Sequence, residues 1–131
     1  VEENLPNSVP LHATAIGKAA LALRPEAFAA VLARPLRNVT AKTITDPKVL
    51  RADVEQVRGQ GWAQMREEMH LDVGGVAAVA DLTADVMIGL GITYPLHRAS
   101  DEQTEAYGRL VRSFADRAAQ LVGPRLLRAP G

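Results

Sequence analysis

The chain has 131 residues, balances 15 lysines and arginines against 15 aspartates and glutamates, and contains no cysteine. This length suits one domain, and the lack of cysteine excludes disulfides, a thiol nucleophile and cysteine-based metal sites. The balanced charge argues against a dedicated nucleic-acid module and against a polybasic membrane-surface segment. No stretch reaches the ~18 consecutive apolar residues of a transmembrane helix, so we expect no membrane association.

Three helices are predicted in the first half of the chain. Residues 14–23 form an alanine-rich run with Thr14 as its N-cap, and residues 25–33 form a second helix between two prolines. Asp46 and Pro47 open a third helix, which Gly59 and Gly61 end. Residues 36–45, between the second and third helices, are predicted to form a loop or a short extended segment.

Strands are predicted in the middle of the chain. Residues 62–69 form one strand, and residues 73–80 and 86–94 form an antiparallel hairpin with a turn of about five residues. Glycines interrupt both hairpin strands, which is explained if something approaches the backbone closely there. These glycines are Gly74, Gly75, Gly89 and Gly91.

The last helix has the clearest signals. Ser100 and Gln103 form a capping box, and apolar residues from Tyr107 to Val122 recur at helical spacing. Gly123 and Pro124 are predicted to end this helix.

Few residues could carry catalysis. The chain has no G-x-S-x-G elbow and no phosphate-binding glycine loop. A strand would place His70 and Asp72 on one face, where they could bind a metal ion, but a solvated loop is the simpler interpretation. His12 suits a hydrogen bond beside the first helix, or a role in a pocket or interface. Glu67 and Glu68 are interpreted as a surface charge pair.

The start of the first helix suggests a small-molecule site. Its leading amide groups attract anions, and Ala15 and Gly17 are small enough to admit a ligand. If the glycine-interrupted strands lie opposite, they form a pocket with Thr93 as a polar group and without a nucleophile or base. Such a pocket suggests a sensor rather than an enzyme, although plain packing of helix on sheet would also explain the pattern.

The string at residues 10–19, PLHATAIGKA, resembles the signature of the effector-binding domain of IclR-family bacterial transcriptional regulators. Further family-like segments follow in order: TITDP at 43–47, VRGQGWA at 57–63, the acidic pair at 67–68, GVAAVA at 75–80 and ITYP at 92–95. The resemblance covers roughly residues 6–122.

The resemblance implies an α+β fold with a GAF/profilin-like antiparallel sheet flanked by helices. It implies that a small organic acid or an aromatic catabolite is held between sheet and helix, with no catalytic residue, cofactor or metal ion. By position, the implied effector-binding residues are Ala15, Ile16, Gly17, Met65, Glu67, Glu68, Ala78, Gly91 and Thr93.

Ala78 and Gly91 stand where the family often carries a polar side chain, which implies a roomier and more apolar pocket. The family domain also has strands and a DNA-binding winged helix-turn-helix before the signature. We therefore expect residues 1–131 to form an effector-binding domain that is truncated at its N-terminus, with DNA bound only through an upstream domain absent here. The resemblance further implies a cytoplasmic homodimer or homotetramer. The alternatives are a small-molecule enzyme that uses His12 or a His70/Asp72 metal site, and a dimerisation module with a vestigial pocket.

Overall fold

The computed structural model describes residues 10–127. Four helices and three strands are present in this part of the chain, together with two short 3-10 turns at Leu11–Ala13 and Leu96–Arg98. The elements follow in the order α1 (Ala15–Leu23), α2 (Pro25–Leu32), α3 (Pro47–Gln60), β1 (Ala63–Arg66), β2 (Val73–Asp81), β3 (Met87–Pro95) and α4 (Asp101–Leu127).

The predicted helix caps are confirmed by their hydrogen bonds. The Thr14 hydroxyl accepts from the amide of Gly17, and the Asp46 carboxylate accepts from the amide of Lys48. The α3 helix ends at Gly61, which has a φ of 89° and is the left-handed C-cap residue, whereas Gly59 lies inside the helix. At the start of α4, Ser100 and Gln103 exchange the two hydrogen bonds of the capping box.

The predicted end of the last helix is wrong, because α4 continues through Pro124 to Leu127. Proline lacks an amide hydrogen and so removes one helical hydrogen bond, but its fixed φ near −65° is itself helical. Gly123 is buried, and a Cβ atom added to it would lie 3.5 Å from the carbonyl oxygen of Leu82. This last part of α4 therefore still packs against the β2–β3 turn. Tertiary contact therefore holds the helix beyond the residues that normally end one.

The sheet is antiparallel with the strand order β1-β2-β3. The predicted hairpin is confirmed: Asp81 pairs with Met87, and residues 82–86 form the turn. The predicted strand at 62–69 is shorter than expected, because β1 ends at Arg66 and residues 67–72 form a turn. The strand ends early because the backbone leaves the extended conformation: Glu67 and Asp72 adopt positive φ angles of 58° and 65°.

Helices cover both faces of the sheet. The α1 and α3 helices pack on one face, where Leu21, Leu50 and Val54 form the centre of the larger core. On the other face, α4 packs through Val111 and Ala115 onto a smaller core around Trp62. This arrangement confirms the predicted α+β class, with an antiparallel sheet flanked by helices. Within residues 10–127, no helix is both long enough and apolar enough to cross a membrane.

Candidate functional site

A cavity of about 350 Å³ lies between the start of α1, the β1–β2 turn and the face of the hairpin that α1 covers. Its lining is mostly apolar, with two threonine hydroxyls and one imidazole. The lining residues are Thr14, Ala15, Ile16, Met65, Met69, His70, Val73, Gly75, Val76, Ala77, Gly91, Ile92 and Thr93.

The helical wall of this cavity is the first turn of α1. The amide groups of Ala15 and Ile16 come before the first intrahelical hydrogen bonds, so they add a partial positive charge at this end of the cavity. Ile16 extends from the helix toward the sheet, and a Cβ atom at Gly89 would lie 2.7 Å from its Cδ1 atom. The close approach that we inferred from the strand glycines is therefore real at Gly89, where the neighbour is a side chain of the same chain.

The floor of the cavity comes from alternate residues of the hairpin. Gly75 pairs with Thr93 and Ala77 pairs with Gly91, so these four residues lie on the face that α1 covers. Ala78 points the opposite way and is fully buried against α4 with Val76 and Val111. The glycines at 75 and 91 contribute no side chain to this floor.

The third wall is the turn at residues 67–72, which the sequence did not reveal. Met69 and His70 lie on this turn and line the cavity. The amide of Glu67 donates to the carbonyl of Val73, and the amide of Asp72 donates to the Glu67 carboxylate. These bonds fold the segment back on itself, whereas the strand predicted at 62–69 places residues 67–69 in the sheet.

The structure brings five of the nine predicted effector-binding residues to the cavity: Ala15, Ile16, Met65, Gly91 and Thr93. Gly17, Glu67, Glu68 and Ala78 are not among its lining residues. Gly17 packs against the 3-10 turn, since a Cβ atom there would lie 2.2 Å from the carbonyl oxygen of Leu11. Its small size therefore serves this contact and does not admit a ligand.

Glu68 does not belong to a surface charge pair, contrary to the prediction. Its carboxylate is buried and accepts a hydrogen bond from the Lys18 ammonium at 2.8 Å, and Lys18 also donates to Asp53 at 2.7 Å. Lys18 is only 1% exposed, so these two carboxylates supply the charge partners that a buried ammonium needs. Glu67 keeps a partly exposed ion pair with Lys42.

The residues of the enzyme alternative do not converge on a reactive centre. His12 is buried outside the cavity, and its Nε2 donates to the carbonyl of Arg37 at 2.8 Å, which ties the 3-10 turn to the loop before α3. His70 and Asp72 lie on a turn instead of on one strand face. Among residues 10–127, no group of three or more histidine or acidic side chains could hold a metal ion.

Volume alone does not single out this cavity. A second one of about 340 Å³ lies between α1, α3 and α4 with Arg58 and Arg112 at its edge, and a third of about 330 Å³ is lined mainly by glutamines and acidic side chains. Of these three cavities, the one at the start of α1 has a lining without a carboxylate, lysine or arginine. Such walls can enclose a compact apolar molecule, and the helix start and hydroxyls can bind its polar end.

Comparisons with known proteins agree with this architecture. The family described as bacterial transcriptional regulator IclR C-terminal matches residues 4–120. The HTH-type transcriptional regulator KdgR of Escherichia coli is 32% identical over 117 residues, which are 87% of this chain and 44% of KdgR. The chain spans less than half the length of the curated relatives that it matches first.

Solved structures show the same fold. The C-terminal domain of E. coli KdgR superposes with a TM-score of 0.75 at 31% identity, over 87% of this chain and 71% of that one. An IclR homolog from Microbacterium hydrocarbonoxydans, complexed with 4-hydroxybenzoate, gives a TM-score of 0.71 at 26% identity, over 86% of this chain and 47% of that one. These relatives are described as transcriptional regulators. The family match covers most of this chain, and the chain therefore belongs to the C-terminal domain family of IclR bacterial transcriptional regulators.

Proposed function

We propose that the chain senses a small organic acid with an apolar or aromatic body, which binds in the cavity at the start of α1. The observation that carries this proposal is the combination of apolar walls with a helix start and the Thr93 hydroxyl, in a lining without carboxylates. The related structure that holds 4-hydroxybenzoate supports the same class of ligand.

The expected orientation of the ligand follows from the lining. The carboxylate lies at the first amides of α1, because the helix dipole favours an anion there by about 0.3–1 kcal/mol. Met65, Met69 and Val73 surround the apolar body. Thr93 and His70 then supply donors or acceptors for a second polar group, such as a ring hydroxyl.

The three methionines allow a direct test. Met65 and Met69 line the cavity, whereas Met87 begins β3 outside it. With ¹³C-methyl-methionine labelling, titration with 4-hydroxybenzoate, benzoate and short aliphatic acids should shift the Met65 and Met69 methyl signals saturably and leave Met87 unchanged. Shifts confined to Met87, or no saturable shift with any acid of the panel, would contradict the proposal.

A pair of threonine variants tests the polar end of the site. Thr93→Val removes one hydroxyl while it keeps the side-chain shape, so we expect a hydroxylated acid to bind about 3- to 10-fold more weakly. Thr45→Val is the matched control, because Thr45 is exposed and lies outside the cavity. Titration calorimetry should show a loss of affinity in the first variant and none in the second.

We further propose that sensing controls an attached DNA-binding part. The relatives are regulators more than twice the length of the matched region, so an upstream helix-turn-helix would make the contact with DNA. Effector binding would favour one arrangement of the domains and so change operator affinity by population shift. We propose the cytoplasm as the place of this role, with residues 1–131 as the sensor domain.

The outer face of α4 supports association into a homodimer or a pair of dimers. Leu110, Phe114 and Leu121 are 46%, 55% and 61% exposed and recur at helical spacing, forming an apolar stripe away from the sheet. The first turn of α4 is acidic and its last turn contains Arg125. An antiparallel pairing of two copies along this stripe would place the acidic turn of each helix beside the basic turn of the other, so we propose a second copy as the occupant.

A further inference from the structure

The charged group that is most deeply buried in the described chain, Lys18, lies directly behind the cavity. Lys18 follows the cavity-lining residues Thr14 and Ala15 by four and three positions, so all three lie on the same face of α1. Its ammonium is 2.7 Å from an Asp53 oxygen on α3 and 2.8 Å from a Glu68 oxygen at the beginning of the 67–72 turn. One side chain thus connects two helices and the turn.

Glu68 uses both oxygens of its carboxylate. One accepts from Lys18, and the other accepts from the amide of Arg66 at 2.8 Å, which closes the entry to the turn. The main chain at this point is also held by the neighbouring loop, since the Thr43 hydroxyl donates to the Glu68 carbonyl at 2.7 Å. The next two residues, Met69 and His70, are the ones that line the cavity.

We propose that Lys18 and Glu68 are positioning residues for the effector cavity: their buried ion pair fixes the wall formed by Met69 and His70 to the wall formed by the start of α1. The contact between the two walls is a property of the free chain. The expected effect of the ion pair on ligand affinity rests on the proposed function. Asp53 on α3 is the second carboxylate partner of Lys18, and the hydrogen bond found for its side chain is the one with this ammonium.

Two variants separate positioning from general stability. Lys18 and the Arg66 amide donate to different oxygens of the Glu68 carboxylate. Glu68→Gln replaces one of these oxygens by an NH₂ group, which cannot accept, so one of the two donors faces another donor and its bond is lost. Asp53→Asn removes the same charge from the same cluster, but its amide oxygen can still accept from Lys18, and the turn keeps both bonds. The pair is therefore matched in charge and differs in its contact with the cavity wall.

The test measures methyl relaxation of the labelled methionines in the free chain. In Glu68→Gln the order parameter of the Met69 methyl axis should fall by about a third, while Met87 stays unchanged; in Asp53→Asn all three methyls should remain as in the wild type. Thermal unfolding of both variants checks that each is folded. Equal loss of order at Met69 in both variants, or no loss in either, would overturn the inference.

Ligand binding supplies the second readout. An acid that shifts the Met65 and Met69 signals of the wild type should bind about tenfold more weakly to Glu68→Gln than to Asp53→Asn, mainly through faster dissociation. Equal affinities in the two variants would refute the positioning role. If no acid shifts the wild-type signals, the proposed function fails for these ligands, and the relaxation of Met69 in the free chain still decides whether Glu68 positions the wall.

Discussion

Gly17 is the residue whose role changes most once its surroundings are known. It lies inside α1, where alanine would normally be the better helix former, yet its Cα faces the 3-10 turn at van der Waals contact. A methyl group there would overlap the backbone of Leu11, which cannot rotate away as a side chain can. The glycine in this helix is therefore required by the contact with the turn.

We predict that Gly17→Ala lowers the free energy of unfolding by about 1–3 kcal/mol, because overpacking against the Leu11 backbone outweighs the gain in helix propensity. Gly59→Ala is the matched control. Gly59 also lies inside a helix, and an added Cβ atom there has no neighbour within 4 Å. The Gly59→Ala variant should therefore be more stable than the wild type by about 0.5–1 kcal/mol. Urea unfolding followed by circular dichroism measures both. A Gly17→Ala variant as stable as the wild type would mean that the turn moves aside freely.

Ala77 and Ala78 show why some site residues were predictable and others were not. Both are buried, Ala77 under α1 and Ala78 under α4. In a strand that is covered on both faces, apolar and polar residues do not alternate, so the sequence VGGVAAVA contains no sign of which residues face which helix. The positions of Ala15 and Ile16 were predictable because an N-cap and helical spacing define them locally.

At the scale of elements, the turn between β1 and β2 limited the prediction of the site. Its conformation depends on positive φ angles at Glu67 and Asp72, which are uncommon outside glycine, and on Lys18, which is 50 residues away from Glu68. A local pattern cannot reveal a contact over that separation, and so the strand was extended through 69. The helix caps, the hairpin and its five-residue turn were predictable because a few neighbouring residues determine each of them.

The outer stripe of α4 gives the prediction at this scale. Phe114→Glu should weaken self-association at least about 100-fold, since a two-fold interface loses the buried ring twice. Gln120→Glu adds the same charge to an exposed position on another side of α4 and should leave association unchanged. Sedimentation velocity of the two variants measures the effect. An unchanged oligomer in Phe114→Glu would exclude the stripe as the contact between copies.

At the scale of the whole molecule, the charge balance bears on the proposed division between sensing and DNA binding. Fifteen basic and fifteen acidic residues cancel, and many pair locally, as Arg112 does with Asp116 and Arg24 does with Asp81. The hydrogen bond with Asp81 raises the pKa of Arg24 above its ordinary value. Affinity for duplex DNA depends on cations that are free to replace the counterions of several phosphates. A neutral surface of paired charges supplies little of that affinity.

We therefore predict that the 131-residue chain alone does not bind duplex DNA measurably, even at 50 mM salt, where contacts to phosphates are strongest. Fluorescence anisotropy of a labelled promoter fragment measures this, with the complete regulator as the positive control. The complete regulator should bind with a steep dependence on salt, and the effector acid should change its affinity by about 5- to 150-fold, the usual range of allosteric coupling. Salt-dependent binding by the chain alone would contradict the division of roles, because it would place phosphate contacts on the sensor itself. The complete regulator could also bind DNA tightly and show no response to an acid that occupies the cavity. That result would contradict the proposed control of DNA binding by the effector, since the occupied cavity would then not alter the arrangement of the DNA-binding parts.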